Sequence, residues 1–384
     1  MDANERPRGV AIVYNRTESL VKGNPEDIVA DQAVIGCANA LARALADAGL
    51  EVALVAITAD VESALQPYPA TEWVVFNLGE GLGGRLFEEV RIAWALEAMG
   101  YRFTGSDAAA LALSTHKARA KEVLRRAGVP TPNWRLFRHP AEVTPDALGD
   151  LPLPAIVKPV AEDASQGIES SAVVRSLDEM RDRVARLVGV YRQAALVEEF
   201  VAGREFNISI WGDPPQVLPL AEVDFSAFQD PLERIVSFSA KWIEDSFAYT
   251  HTPVVCPAHV DADVAHRIRT VALRAWRAIG CQGYARVDMR LSQDNIPYVI
   301  EVNCNPDLSP DAGFFRAART AGHSYSEMAL RILNIALRQK QTYDTSRPTR
   351  RRGLHCSDNG QSGSLQPVGD SVRTGTVERV PAAR

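Results

Sequence analysis

The sequence contains no uninterrupted apolar run close to the roughly eighteen residues that would mark a membrane-crossing helix. Its first residues, Met1-Asp2-Ala3-Asn4-Glu5-Arg6, lack the basic-then-apolar pattern of a secretory leader, so a cytoplasmic protein without a membrane partner is expected. Cysteine is scarce. Five thiols, odd in number and widely spaced, fit neither a disulfide framework nor a zinc knuckle. Positive charge is not in excess either: a net charge of −6 provides no general basic field for nucleic acid, and any polyanion must be met by local cations. What remains, 46% hydrophobic and 23% charged, is the composition of a soluble globular chain rather than a disordered or fibrous one. At about 150 residues per domain, 384 residues imply two to three domains.

The first hundred residues alternate strands with helices. Apolar stretches at Gly9–Asn15, Glu51–Ile57 and Trp73–Leu78 read as strands, with helices near Ile28–Ala48 and Phe87–Met99 and a further short strand at Tyr101–Phe103. Such alternation predicts right-handed crossovers and a mostly parallel sheet covered on both faces, with ligands beyond the carboxyl ends of its strands. The turn Gly79-Glu80-Gly81-Leu82-Gly83-Gly84 occupies that place. A helix capped by Ser114 or Thr115 and stopped at Gly128 comes next, then strand candidates Ala155–Val157 and Ala195–Val197 around a helix near Leu177–Leu187. Ser324 and Glu327 form a capping box for a helix that ends near Gln339. The organisation expected is an N-terminal domain at 1–106, a small α+β lobe at 107–204, a larger one at 205–340, and a disordered, weakly basic tail at 341–384.

The richest stretch pairs Arg286-Val287-Asp288 with Glu301-Val302-Asn303. Both segments alternate, so Arg286 and Asp288 share one face of a strand, while Glu301 and Asn303 share one face of the next. A hairpin turning at Asp294-Asn295 sets Asp288 opposite Glu301 and Arg286 opposite Asn303. Two carboxylates directly opposed are destabilising unless a cation lies between them, and a set of Asp, Glu and Asn oxygens describes Mg²⁺. Arg286 is then placed to neutralise a transferred phosphoryl group. Lys158, ending an apolar strand before the small-residue loop Val160–Ile168, and Lys117, in the first turn of a helix, are candidates for phosphate. Glu198-Glu199-Phe200-Val201, followed by Gly203 and Glu205, supplies an apolar shelf suited to a purine.

Lys117, Ile156-Val157-Lys158-Pro159, Glu198–Val201 with Gly203-Arg204-Glu205, Ala240-Lys241-Trp242, Arg286-Val287-Asp288 and Glu301-Val302-Asn303-Cys304-Asn305-Pro306 occur in the order of the ATP-grasp superfamily. The chain most resembles its D-alanine–D-alanine ligase-like carboxylate–amine ligases, over about residues 73–338. The resemblance implies an α/β and α+β fold, with a Rossmann-like parallel-sheet domain and two α+β lobes enclosing ATP. It implies that Lys117, Lys158, Ser165, Gly167, Glu198, Phe200, Val201 and Glu205 bind ATP, and that Asp288, Glu301 and Asn303 hold Mg²⁺ or Mn²⁺. By the same resemblance, Lys241 would come from a mobile loop over the γ-phosphate, and Arg286 would stabilise the transition state. Glu80, Asn305 and Asp307 fall to the substrates. The reaction implied activates a carboxylate as an acyl phosphate, which an amine then attacks, releasing ADP and phosphate.

Departures from the family pattern concentrate at the amino-acid end. Ala164 stands in place of a substrate-positioning serine, Trp242 in place of a tyrosine, Asp307 in place of a glycine, and Ala312 in place of the serine that helps hold the acceptor's carboxylate. The expectation is therefore a ligase for small amino-acid-like substrates other than two D-alanines. Genuine D-alanyl-D-alanine synthesis, a non-amine acceptor and an ATP binder without turnover are the rivals. Glu18 reads as an exposed loop residue, Cys304 as a small buried thiol, and the assembly expected is a homodimer.

Overall fold

Val10, Ala11, Ile12 and Val13 are all fully buried, as suits a strand covered on both faces, and Gly9–Asn15 (β1) is the central strand of a parallel sheet. The computed structural model describes residues 7–339, apart from Glu18, Gly84 and Phe87. β1 is followed by helix α1 (Ile28–Asp47), strand β2 (Glu51–Ile57), helix α2 (Val61–Leu65) and strand β3 (Trp73–Asn77), in the sheet order β2-β1-β3. The strand expected at Tyr101–Phe103 shrinks to one parallel bridge between Val75 and Phe103. With the turn before it, α1 (Pro25–Asp47) is long and apolar enough to cross a membrane, a property that a search for unbroken apolar runs passes over. Its Val34, Cys37, Ala38, Leu41 and Leu45 lie in one core cluster with Val10, Ile12, Val74 and Phe76, so that apolarity covers the sheet.

Beyond β3 the chain makes a short hairpin, β4 (Gly81–Leu82) and β5 (Arg85–Leu86), then helices α3 (Glu89–Ala98), α4 (Ala108–Ser114) and α5 (Lys117–Arg126). Neither Ser114 nor Thr115, the caps expected for α5, caps it. Ser114 and Thr115 close α4, their hydroxyls donating back to the Leu111 carbonyl at 3.2 and 2.9 Å, and His116 Nδ1 caps α5 by accepting from the Arg119 N–H at 3.3 Å. A second sheet, order β6-β9-β7-β8, joins β6 (Trp134–Phe137), β7 (Ala155–Pro159), β8 (Val173–Val174) and β9 (Ala195–Glu199). Helices α6 (Pro145–Leu148) and α7 (Leu177–Tyr191) complete this lobe, and α7 packs Met180, Val184 and Leu187 onto the sheet.

The third sheet carries the chemistry. Its strands are β10 (Arg204–Trp211), β11 (Gln216–Val217), β12 (Ala221–Val223), β13 (Val254–Val255), β14 (Tyr284–Leu291) and β15 (Pro297–Asn303), in the path β13-β12-β10-β14-β15 with β11 on β10. Helices α8 (Phe238–Trp242) and α9 (Phe247–Thr250) lie between β12 and β13. Helix α10 (Ala262–Ile279) then covers the apolar face, where Ile268, Ala272 and Trp276 join Phe206, Ile208, Val287, Met289 and Val299 in one core. Helices α11 (Gly313–Thr320) and α12 (Tyr325–Arg338) follow β15, and α12 starts from the expected capping box, with Ser324 Oγ accepting from Glu327 N at 3.2 Å. The tail at 341–384 and the Glu18 expectation lie outside the described residues.

The β14–β15 register is the expected one at Asp288–Glu301 and Arg286–Asn303, but the turn is not. Ser292 N donates to Ile296 O at 3.0 Å around Gln293–Asn295, with Asn295 at φ +57. A bulge that leaves Ile300 without a partner between Val299 and Glu301 shifts the pairing back, which restores the opposition of the two carboxylates.

Candidate active site

Period-two alternation builds a polar grid on the face of the third sheet opposite its core. Across β10, β14 and β15 its rows read Ser209, Arg286, Asn303 and then Asn207, Asp288, Glu301, and a further cross-strand pair sets Glu205 beside Arg290. Arg286 grips Asp288 with two bonds of 2.8 Å, and Asn207 Nδ2 donates to the same carboxylate at 2.8 Å. Burial works against the charge on Arg286, yet Asp288 and Glu301 outweigh it and hold the guanidinium more firmly protonated than usual. Burial likewise opposes the charge on Glu301, but the cations Lys117, Lys158, Lys241 and Arg286 press its carboxyl down to about 2. Asn303 Oδ1 accepts from Asn305 N at 2.9 Å, and Asn305 Nδ2 reaches Gly79 O at 3.3 Å, tying this loop to the end of β3.

The grid forms the floor of a cavity of about 520 Å³. At one end Ile156, Phe200, Val201, Val223 and Ile235 make an apolar slot, with Glu205 beside it. Glu205 pairs with Arg290 at 3.4 Å, and Arg290 lies 4.8 Å over the Phe200 ring. Lys158, Lys241, Arg286, Asp288, Glu301 and Asn303 line the middle. At the other end Ala30, Val34, Cys37, Leu78 and Leu308 form a wall, with Glu80, Asn305 and Asp307 on it. Burial and the neighbouring Arg286 hold the Lys241 ammonium below its usual range.

Most of the expected site residues line this cavity, including Ser165. Two stand off it. Gly167 is turned into the lobe, where a Cβ would meet Pro159 Cγ at 2.7 Å, so its small size serves packing at φ +69. Lys117 lies behind the lining, its ammonium on the Glu162 carbonyl and 3.5 Å from both Asp163 and Glu301. Ser165 gives its hydroxyl to Val236 O at 2.8 Å, and Trp242 Nε1 donates to Ala164 O at 2.9 Å, so the Ala161–Ile168 loop and the segment around α8 clasp each other over the cavity. Glu198 keeps each oxygen in an ion pair, with Lys121 at 2.6 Å and Lys158 at 2.7 Å.

Sequence reasoning missed Lys121, Asn207 and Arg290. The signals were present: Lys121 is one helical turn after Lys117, Asn207 follows Glu205 on the same strand face, and Arg290 continues the alternation of Arg286 and Asp288. Cys304, expected as a buried thiol, is 1% exposed with its Sγ 3.5 Å from that of Cys281.

Residues 123–334 match the family model described as the D-ala D-ala ligase C-terminus. The chain belongs to the D-alanine–D-alanine ligase family. Over 258 residues it is 32% identical to the D-alanine–D-alanine ligase of Desulforudis audaxviator, covering 66% of this chain and 79% of that one. It is 35% identical over 274 residues to an uncharacterized protein of Sinorhizobium fredii, covering 71% and 77%. The crystal structure of D-alanine–D-alanine ligase from Bacillus anthracis complexed with ATP superposes with a TM-score of 0.67 at 23% identity, covering 87% of this chain and 98% of that one. The fold is therefore ATP-grasp, and the chain is a ligase of the ATP-dependent carboxylate–amine class.

Proposed function

We propose that this ligase activates a small carboxylic acid, amino-acid-like in size, as its acyl phosphate and joins it to an amine. In the first step a carboxylate oxygen attacks the γ-phosphorus of ATP and ADP leaves; in the second the amine nitrogen attacks the acyl carbon, phosphate leaves and the nitrogen loses a proton. The observation that carries this reading is the grid itself, where Arg286, Asp288, Glu301 and Asn303 lie on one face at the centre of the cavity with Lys158 and Lys241 beside them. Phosphoryl transfer needs positioning and concentrated positive charge more than covalent help, and the middle of the cavity offers both.

The base of ATP fits the slot of Ile156, Phe200 and Val201, its ribose meets Glu205, and the phosphates meet Lys158 and Lys241, with Ser165 at the edge of that path and Lys117 behind the lining, 3.5 Å from Glu301. Asp288, Glu301 and Asn303 offer hard oxygen donors in one patch, with two carboxylates directly opposed across the strands, and this donor set fits Mg²⁺. When bound, the metal neutralises charge on the phosphates. We place the protein in the cytoplasm, where ATP is supplied and where thiols such as Cys37, Cys256, Cys281 and Cys304 stay free.

Asp307 and Ala312 line the substrate end where the family pattern has glycine and serine, which favours substrates other than two D-alanines. The test is phosphate release with ATP and Mg²⁺ across single and paired amino acids of both configurations, with hydroxylamine in parallel. Release that requires one particular pair, with a hydroxamate formed from one member, is expected. Full turnover with D-alanine alone would establish the family's own reaction instead, and release without any trapped hydroxamate would overturn the acyl phosphate.

A further inference from the structure

Glu198 stands between two lysines. Its Oε1 lies 2.6 Å from Lys121 Nζ and its Oε2 2.7 Å from Lys158 Nζ, and no side chain of the three is more than 3% exposed. Glu198 and Lys158 line the cavity, whereas Lys121 sits behind them. Lys121 also donates to Thr131 Oγ1 at 2.9 Å, and Thr131 donates to Val299 O at 2.8 Å, on the strand that carries Glu301 and Asn303.

The stoichiometry matters more than either contact. A buried Glu198–Lys158 pair on its own is neutral, and a phosphate approaching Lys158 would have to compete with a carboxylate already holding it. With Lys121 on the other oxygen, two cations surround one anion. The cluster then carries a net positive charge in a place of low dielectric, where an incoming anion gains most from it. Lys121 has no access to the cavity, so it acts through its neighbours.

We propose that Lys121 is a positioning residue for nucleotide binding: it takes up the charge of Glu198 and leaves the Lys158 ammonium available to a phosphate. The inference rests on Lys158 facing the ATP phosphates, as proposed above. Lys121 then contributes to the affinity for the phosphate chain and not to the affinity for the base.

The experiment compares ADP with adenosine as ligands of the full chain, by calorimetry or competition, in wild type and four variants. Lys121→Met is expected to weaken ADP by about tenfold or more, the effect of a lost charge-assisted contact, and to leave adenosine within about threefold. Lys121→Arg keeps the charge and should retain ADP affinity. Lys121→Met with Glu198→Gln frees Lys158 from its carboxylate and should recover most of the ADP affinity that Lys121→Met loses. It also decides the matter if Lys121→Met does not fold. Equal weakening of ADP and adenosine in Lys121→Met, or no recovery in the double variant, would overturn the proposal in favour of a packing role. Lys158→Met separates the two levels: unchanged ADP affinity there removes the phosphate assignment itself, whereas a loss there without one in Lys121→Met removes only the role of Lys121.

Discussion

Trp242 donates its indole N–H to the carbonyl of Ala164 at 2.9 Å, and both are positions at which this chain departs from the family pattern. The two departures form one contact between the loop that follows β7 and the helix α8. The same pair of segments is held by Ser165 Oγ on Val236 O at 2.8 Å and by Phe238 N on Ile168 O at 2.8 Å.

Replacing Trp242 by Phe keeps an aromatic ring against Phe238, whose centroid is 6.5 Å away, and removes only the hydrogen bond. A neutral bond of this kind contributes about 0.5–1.5 kcal/mol. A rise in KM for ATP of roughly three- to tenfold is expected, with faster proteolysis of the loops around Ala164 and Trp242. Unchanged KM and unchanged cleavage would mean that the clasp does not govern closure over the cavity.

Much of this site was legible because strand alternation is a short-range property. Arg286 with Asp288, and Glu301 with Asn303, are two residues apart, and their facing follows from the pleat alone. The clasp was not legible, since Trp242 and Ala164 are 78 residues apart and meet only once the two lobes are folded. The Ile300 bulge was also hidden. It moves the register by one residue without any glycine or proline to announce it, and the expected carboxylate opposition survived because a longer turn at Gln293–Asn295 offsets it. The α5 start was misplaced because two hydroxyl residues that resemble N-caps serve the end of the preceding helix instead.

Gly203 is a further place where backbone geometry decides. It has φ +152, and a Cβ there would lie 1.9 Å from the Leu291 carbonyl oxygen, a backbone atom that cannot yield cheaply. Its own carbonyl accepts from Arg290 at 3.1 Å, beside Glu205. Gly203→Ala is expected to destabilise the protein by about 3 kcal/mol or more. Gly189, inside α7 with open space around its missing Cβ, is the control: Gly189→Ala should leave stability unchanged or raise it by about 0.5–1 kcal/mol. Denaturant midpoints of the two variants check the contrast.

Arg286 holds Asp288 with two parallel bonds, a geometry that lysine cannot reproduce. Arg286→Lys keeps the charge and loses the fork. A fall in kcat of about 10²–10³ is expected, the usual scale for removing one preorganised electrostatic group, while ATP affinity changes by only about threefold. A matching loss in both would show that Arg286 serves ground-state binding of the nucleotide. Thermal unfolding of the variant, alongside the kinetics, shows whether freeing Asp288 has disturbed the sheet.

Glu162, fully buried, and Glu301, partly exposed, titrate in opposite senses and contribute opposite pH dependences to stability. Burial pushes the Glu162 carboxyl up to about 7, although Lys22 beside it works in the other direction. Between about 4.5, its value in the unfolded chain, and about 7, the folded protein therefore binds more protons at Glu162 than the unfolded chain does. Stability from this residue falls as pH rises through that window. Glu301, pressed down to about 2 by the surrounding cations, has the reverse sign: its contribution is present above the unfolded value and is lost as pH falls from there towards 2. As a pair, these two residues contribute most on the acid side of neutrality, around the unfolded carboxyl value. Glu162→Gln removes the first arm and should flatten the decline between pH 5 and 7 while leaving the acid limb unchanged. Thermal midpoints measured from pH 3 to 8 in both proteins test this, and a variant whose decline above pH 5 matched that of the wild type would show that other groups set it.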